Sequence, residues 1–160
     1  MNNTTAQTDT LTKVKQILEH YLIDKKLRKT PERFALLEAI YTRDDHFDAE
    51  TLYVEMKVKN YKVSRATVYN TLDILQECKL VIKHQFGSKL ARYEKSFGYQ
   101  QHDHLICVEC NKILEFCDPR IRNIQSMVED IYGFKIDSHS LNFYGTCSEE
   151  CAEKQRRKER

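Results

Sequence analysis

The sequence predicts an α+β fold in two parts: a winged helix-turn-helix domain, then a smaller α/β domain that carries metal ligands. Three observations predict it. Apolar residues keep helical spacing through four segments of the first half and are followed by two strand-like runs. The second half alternates strand, helix and strand. Between them His102-Asp103-His104 runs into Cys107-x2-Cys110, and a second pair, Cys147-x3-Cys151, stands near the end.

Composition narrows the class. At 160 residues the chain is one medium domain or two small ones, and 41% hydrophobic residues supply real cores. Charged residues reach 31% and no apolar run approaches the roughly 18 residues of a membrane span. Met1 to Thr10 is polar, without a basic start or an apolar core, so no signal peptide and a cytoplasmic location are expected. In a reducing compartment the six cysteines are metal ligands or reactive thiols, not a disulfide framework. Residues 1–93 carry four more basic than acidic side chains, and residues 94–160 two fewer. That permits a nucleic-acid surface on the first half without demanding one.

Residues 1–10 read as disordered. Leu11, Val14, Leu18, Tyr21 and Leu22 then make one face of a helix running to about residue 26, followed by a basic connector, Lys25 to Lys29. Thr30-Pro31 is a helix start, with a hydroxyl at the N-cap and proline at the first helical position. Asp48 caps a third helix, with Phe47 stapled onto Leu52. Ser64 caps a fourth, from Arg65 to about Leu80, whose inward stripe is Val68, Leu72 and Leu75. Val81 to Phe86 and Leu90 to Glu94 are expected strands, joined through Gly87-Ser88 as a type II′ hairpin. Residues 95–101 read as a hinge. Beyond it, short strands at His104 to Val108 and Ile113 to Phe116 flank the CxxC turn. Asp118-Pro119 opens a helix ending near Gly133, and Ile136 to Tyr144 is a longer strand.

Thiolates spaced C-x2-C and C-x3-C suit tetrahedral zinc closed by four sulfurs. Space-filling thiols or a redox pair are the alternatives, but a redox CxxC belongs at a helix N-terminus rather than between strands. Cys78 and Cys117 read as packing or incidental thiols. On a strand His102 and His104 share a face, with Asp103 on the other. The two imidazoles are candidates for a harder N/O site completed from elsewhere, with His46, Glu94 and Glu115 on offer. His20 and His84 read as ordinary surface or core histidines. No HExxH is present, so neither catalysis nor a small organic substrate is expected. On the fourth helix Arg65 and Tyr69 share a face with Asn70 beside it. They are able to reach phosphates and bases, though ordinary helix surface is the alternative.

Taken together these residues resemble the ferric uptake regulator family from about residue 20 onward. The motifs that carry the likeness are Thr30-Pro-Glu-Arg33, Ala66-Thr-Val-Tyr69, His102-Asp-His-Leu-Ile-Cys-x-x-Cys110, Ile113-Leu-Glu-Phe116 and Ser138-His-Ser-Leu141, in that order. The resemblance implies a homodimeric, metal-dependent transcriptional repressor of double-stranded operator DNA. Its winged helix would span residues 1–94, and residues 102–160 would bind metal and dimerise. Cys107, Cys110, Cys147 and Cys151 would hold structural Zn(II). His46, Glu94, His102, His104 and Glu115 would hold a regulatory Fe(II) or another divalent metal. Tyr69 matches a base-contacting tyrosine and Arg33 a backbone-contacting arginine. Arg28 or Lys29 would enter the minor groove, with Ser64, Arg65, Thr67 and Asn70 along the start of the recognition helix.

Three departures matter. The family often has a third site, and its positions here read Gln101, Asp103, Arg122 and His139. A guanidinium replaces a ligand carboxylate, so that site is expected to be empty, with Asp103 and Arg122 as a pair instead. Asn70 stands where arginine is usual, which changes the expected operator. Cys147 and Cys151 are separated by three residues rather than two. Glu94 and Glu115, where the peroxide-sensing branch tends to place aspartate, favour the iron branch. So does the lack of a cysteine in the sensor site, where the zinc-uptake branch often has one. Manganese, zinc, haem or peroxide sensing is the alternative.

Overall fold

The computed structural model describes residues 3–86, 91–98 and 101–147. The chain divides into two compact units, Met1–Tyr99 and Gln100–Arg160.

The first unit holds helices α1 (Asn3–Asp24), α2 (Pro31–Tyr41), α3 (Ala49–Val58) and α4 (Arg65–Glu77), then strands β1 (Val81–His84) and β2 (Arg92–Lys95). Each helix contributes an apolar face to one core. Val14, Leu18 and Leu22 come from α1, Leu36, Leu37 and Ile40 from α2, Leu52 and Met56 from α3, and Val68, Leu72 and Leu75 from α4; all are buried. Removing this much apolar surface from water is the main force holding the helices together. Asp48 and Ser64 cap α3 and α4 as expected, their side chains accepting from the backbone N–H of Thr51 and Thr67. Thr30 makes no such side-chain bond, and Pro31 alone marks the start of α2.

Several expectations need correcting. Residues 3–10 are not disordered but extend α1, supported by a Thr12 hydroxyl bond to the Thr8 carbonyl and a Lys13–Asp9 pair one turn apart. A helix already nucleated by a buried stripe adds residues cheaply, so polar composition did not stop it. The fourth helix ends at Glu77, because Lys79 turns left-handed (φ 55°) and the Leu80 N–H reaches back to the Leu75 carbonyl. The β1–β2 register sets His84 opposite Arg92, so the described strands end at His84 and begin again at Arg92 rather than reaching Phe86 and Leu90. The Gly87-Ser88 step itself lies outside the described residues. Nor is the hinge free from residue 95. Lys95 ends β2, the Ser96 N–H bonds the Leu80 carbonyl, and Phe97 lies against the core.

One non-helical segment, residues 43–48 between α2 and α3, is fastened along β2. Lys95 Nζ bonds the Arg43 carbonyl at 2.7 Å and Asp44 at 2.6 Å. Phe47 and Tyr93 exchange backbone bonds and stack their rings 5.8 Å apart. Arg92 grips Asp48 at 2.7 Å.

The second unit is a three-stranded sheet in the order β4-β3-β5, with β3 at Asp103–Cys107, β4 at Ile113–Phe116 and β5 at Asn142–Gly145. β3 runs antiparallel to β4 and parallel to β5. Helix α5 (Pro119–Tyr132) connects β4 to β5, starts on an Asp118 cap and stops at left-handed Gly133 (φ 65°). The long strand expected over 136–144 is reduced to its last residues. β5 pairs with His104 to Cys107 only, and the Ile136 N–H bonds the Glu129 carboxylate instead of a strand. No α5 residue is buried, and Ile124, Met127 and Ile131 are each more than half exposed.

Asp48→Ala removes both an N-cap and the anchor for Arg92. It is expected to destabilise the first unit by about 1–2 kcal/mol. Thermal melting followed by circular dichroism should show a fall of about 4–8 °C per kcal/mol for a unit of this size.

Candidate metal centres and nucleic-acid face

The thiolate cluster is built by the parallel β3–β5 pairing, which sets Cys107 opposite Gly145 and carries Cys147 alongside. Cys110 is turned toward them by the CxxC turn, in which Asn111 is left-handed (φ 57°) and its N–H bonds the Cys107 carbonyl. Cys147 Sγ lies 3.2 Å from Cys107 Sγ and 3.5 Å from Cys110 Sγ. Ligands at about 2.3 Å around tetrahedral zinc stand roughly 3.8 Å apart, so the three sulfurs already approximate one face of such a site. The backbone N–H groups of Cys110 and Cys147 hold the Cys107 thiol down to about 6, toward the ionised form that binds metal. Cys151, the expected fourth sulfur, lies outside the described residues.

In the first unit His46, just before the α3 cap, meets Glu94 of β2. His46 Nε2 is 3.2 Å from Glu94 Oε2, and Glu94 is buried. Nitrogen and oxygen ligands at about 2.1 Å are roughly 3.0 Å apart around an octahedral metal and 3.4 Å around a tetrahedral one. The pair therefore has the spacing of one edge of a coordination polyhedron. His84, read from the sequence as an ordinary histidine, belongs to the same cluster. Its Nε2 is 2.7 Å from Glu94 Oε1. The signal lay in strand pairing: with Ile82 opposite Glu94, His84 comes two residues along on the same face.

In the second unit His104 pairs in register with Glu115 of β4. The His102 and His104 rings meet edge to face at 4.8 Å, and His102 Nε2 is 3.8 Å from a Glu115 oxygen. These three side chains share one side of the sheet. On the other, Asp103 is buried and accepts from His139 at 3.1 Å, while the Gln101 amide donates to the His139 carbonyl at 2.7 Å. Three of the four third-site positions thus gather without the fourth. Arg122 stays exposed on α5, and the expected Asp103–Arg122 pair is replaced by Asp103–His139.

The residues expected to touch DNA fall into two groups. Ser64, Arg65, Thr67, Tyr69 and Asn70 occupy the cap and first turns of α4, with Tyr69 and Asn70 exposed. Arg28, Lys29 and Arg33 surround the α1–α2 connector. Arg33 braces the Arg28 carbonyl at 2.6 Å, and Lys29 pairs with Glu19 at 2.8 Å. Arg65 is engaged within the unit, forked onto Glu50 at 2.8 and 2.5 Å and lying over the Tyr53 ring. Exposed pairs of this kind contribute about 0–1 kcal/mol, which leaves Arg65 easily redirected to a phosphate.

A winged helical unit with an open recognition helix, joined in one chain to thiolate and imidazole donors, defines a metal-responsive transcriptional regulator. Comparison with known proteins names the family: the ferric uptake regulator family matches residues 24–144, and the chain belongs to it. It is similar to the ferric uptake regulation protein of Campylobacter jejuni, with 38% identity over 125 residues, 77% of this chain and 79% of that protein. It is also similar to the peroxide operon regulator of Bacillus subtilis, with 34% identity over 142 residues, 89% and 95% of the two chains. Among solved structures it resembles the Helicobacter pylori ferric uptake regulator, described as having three functional metal binding sites. The TM-score is 0.79 at 28% identity, covering 89% of this chain and 93% of that one.

Cys107→Ser is expected to strip zinc that otherwise survives dialysis, read by atomic absorption. It should also abolish cooperative melting of the second unit, since structural zinc contributes about 10–16 kcal/mol to small metal-dependent folds. The helices of the first unit should melt as before.

Proposed function

We propose that this protein is a cytoplasmic, homodimeric repressor that takes up Fe(II) and thereby grips its operator, with no catalytic turnover and no small organic substrate. Each unit offers only part of a coordination sphere, and this carries the reading. His46 and Glu94 make one edge in the first unit, and His102, His104 and Glu115 cluster in the second. Neither set alone matches the ligand count of a six-coordinate ferrous ion. A metal that draws on both would fix the angle between the units, and in a dimer the spacing of the two α4 helices. Linkage then demands that DNA tighten metal binding by the same factor, typically about 1–3 kcal/mol.

Structural Zn(II) is assigned to Cys107, Cys110, Cys147 and Cys151, the soft donor set. The third family position is assigned to the Asp103–His139 hydrogen bond rather than to a metal. Dimerisation is assigned to the exposed apolar stripe of α5 with Phe143 and Tyr144 of β5, which a second copy would cover. DNA contact is assigned to Tyr69 and Asn70 in the major groove. Arg65 and Arg33 would lie on phosphates, Ser64 and Thr67 on the backbone at the helix start, and Arg28 or Lys29 in the minor groove. No described helix is long and apolar enough to cross a membrane. The Bacillus subtilis likeness to a peroxide operon regulator supports a second reading, in which the same ligands sense an oxidant.

His102→Ala is expected to abolish metal-dependent operator binding in a gel shift while retaining the zinc and the melting temperature. Unchanged metal-responsive binding would remove the imidazole strand from the sensor. A panel of Fe(II), Mn(II), Zn(II), haem and peroxide-treated Fe(II) protein separates the two readings. Glu50→Gln, which frees Arg65, should raise affinity for any duplex by about two- to fivefold in fluorescence anisotropy, the yield of one exposed ion pair.

A further inference from the structure

The regulatory reading uses His46 and Glu94 of the first unit and leaves His84 without a task. Yet the Glu94 carboxylate lies between two imidazoles, one on each oxygen. His84 Nε2 is 2.7 Å from Oε1, and His46 Nε2 is 3.2 Å from Oε2. The His84 side chain is only 14% exposed, and that of Glu94 8%. A carboxylate oxygen only accepts, so a neutral His84 must carry its proton on Nε2. That ring is not loosely placed. Phe86 stacks on it with centroids 5.1 Å apart and planes within 3°. The same phenyl meets the His46 ring edge-on at 6.2 Å. One aromatic side chain thus fixes both imidazoles that flank the carboxylate.

We propose that His84 is a positioning residue of the regulatory centre: its Nε2–H pins Oε1 of Glu94, so that Oε2 alone is presented beside His46 Nε2 to the incoming cation. The proposal rests on the assignment of Glu94 as a ligand. A carboxylate held at one oxygen binds monodentately and in one orientation, and its rotational freedom is lost before the metal arrives. Hydrogen bonds to the far side of a ligand commonly set metal affinity by 10- to 100-fold. Within the first unit the four side chains form a chain of support, from Phe86 to His84, from His84 to Oε1, and from Oε2 to the metal edge shared with His46.

The test uses the full-length protein with its cysteine site filled with zinc, titrated with Co(II) alone and read by the ligand-field absorption bands. His84→Phe keeps the stacking surface and removes the donor. His84→Gln places an amide N–H where Nε2 stands. The expected result is Co(II) affinity about 10- to 100-fold weaker for His84→Phe and within a few-fold of the parent for His84→Gln. At saturation the His84→Gln spectrum should superimpose on the parent's, because His84 is not itself a ligand. Parent-like affinity in His84→Phe overturns the proposal, and so does a shifted spectrum in saturated His84→Gln, which would make His84 a ligand. Glu94→Ala is the control for the reading underneath. If it leaves Co(II) binding intact, the ligand assignment fails. If it abolishes binding while His84→Phe does not weaken it, only the positioning role fails. Should His84→Phe not fold, judged by its melt, His84→Gln decides through its spectrum, and His84→Leu supplies the donor-free arm.

Discussion

The attachment of residues 43–48 to strand β2 is the constraint on which the first unit's chemistry depends. Lys95 holds the Arg43 carbonyl and Asp44, Tyr93 pairs with Phe47, and Arg92 holds Asp48. His46 and Glu94 meet in the middle of that strip. Their approach is therefore imposed from both sides by backbone bonds, a ring stack and ion pairs. A loop carrying a ligand histidine is ordinarily the mobile part of a site. Here a single backbone bridge, Phe47 to Tyr93, and flanking ion pairs hold it along β2. The same strip ends on the cap of α3, whose neighbour α4 carries the exposed Tyr69 and Asn70.

The second unit reaches its ligand geometry differently. Two of its sulfurs are set by a local turn, but the third arrives through strand pairing across almost the whole unit, from β3 to β5. One strand, β3, serves both kinds of site. Its start carries His104 on one face, beside the preceding His102, and Asp103 on the other, and its end carries Cys107. Soft and hard donors are thereby separated along one element, so the two sets offer different ligand chemistry. The lowered pKa of the Cys107 thiol reduces the proton cost of binding a metal at that one sulfur.

Much of this was legible in the chain. The four helices follow from apolar spacing and from the Asp48 and Ser64 caps, and the metal-ligand stretches follow from spacing alone. What escaped depended on register. His84 looked ordinary because a hairpin's pairing decides which residues face one another, and that register is not written in the spacing of the residues. The strand expected over 136–144 had the right alternation, but its length was limited by the partner available on β3. The helical N-terminus was hidden by polar composition, which argues against a core but not against extension of an existing helix. Arg122 was matched to Asp103 on charge, whereas His139 is the side chain that the fold delivers.

Both halves of the proposed sensor are already largely ordered. His46 and Glu94 lie at ligand spacing within a strip braced at both ends, and His102, His104 and Glu115 stand on paired strands. Little of the binding energy is then consumed inside either unit. Under the proposed function, a divalent ion would therefore act on halves whose own structure it leaves unchanged. The cysteine cluster takes the opposite role. With no residue of α5 buried, the described part of the second unit has little apolar core, and under the proposed function its zinc would be a constant of the fold while the regulatory ion varies.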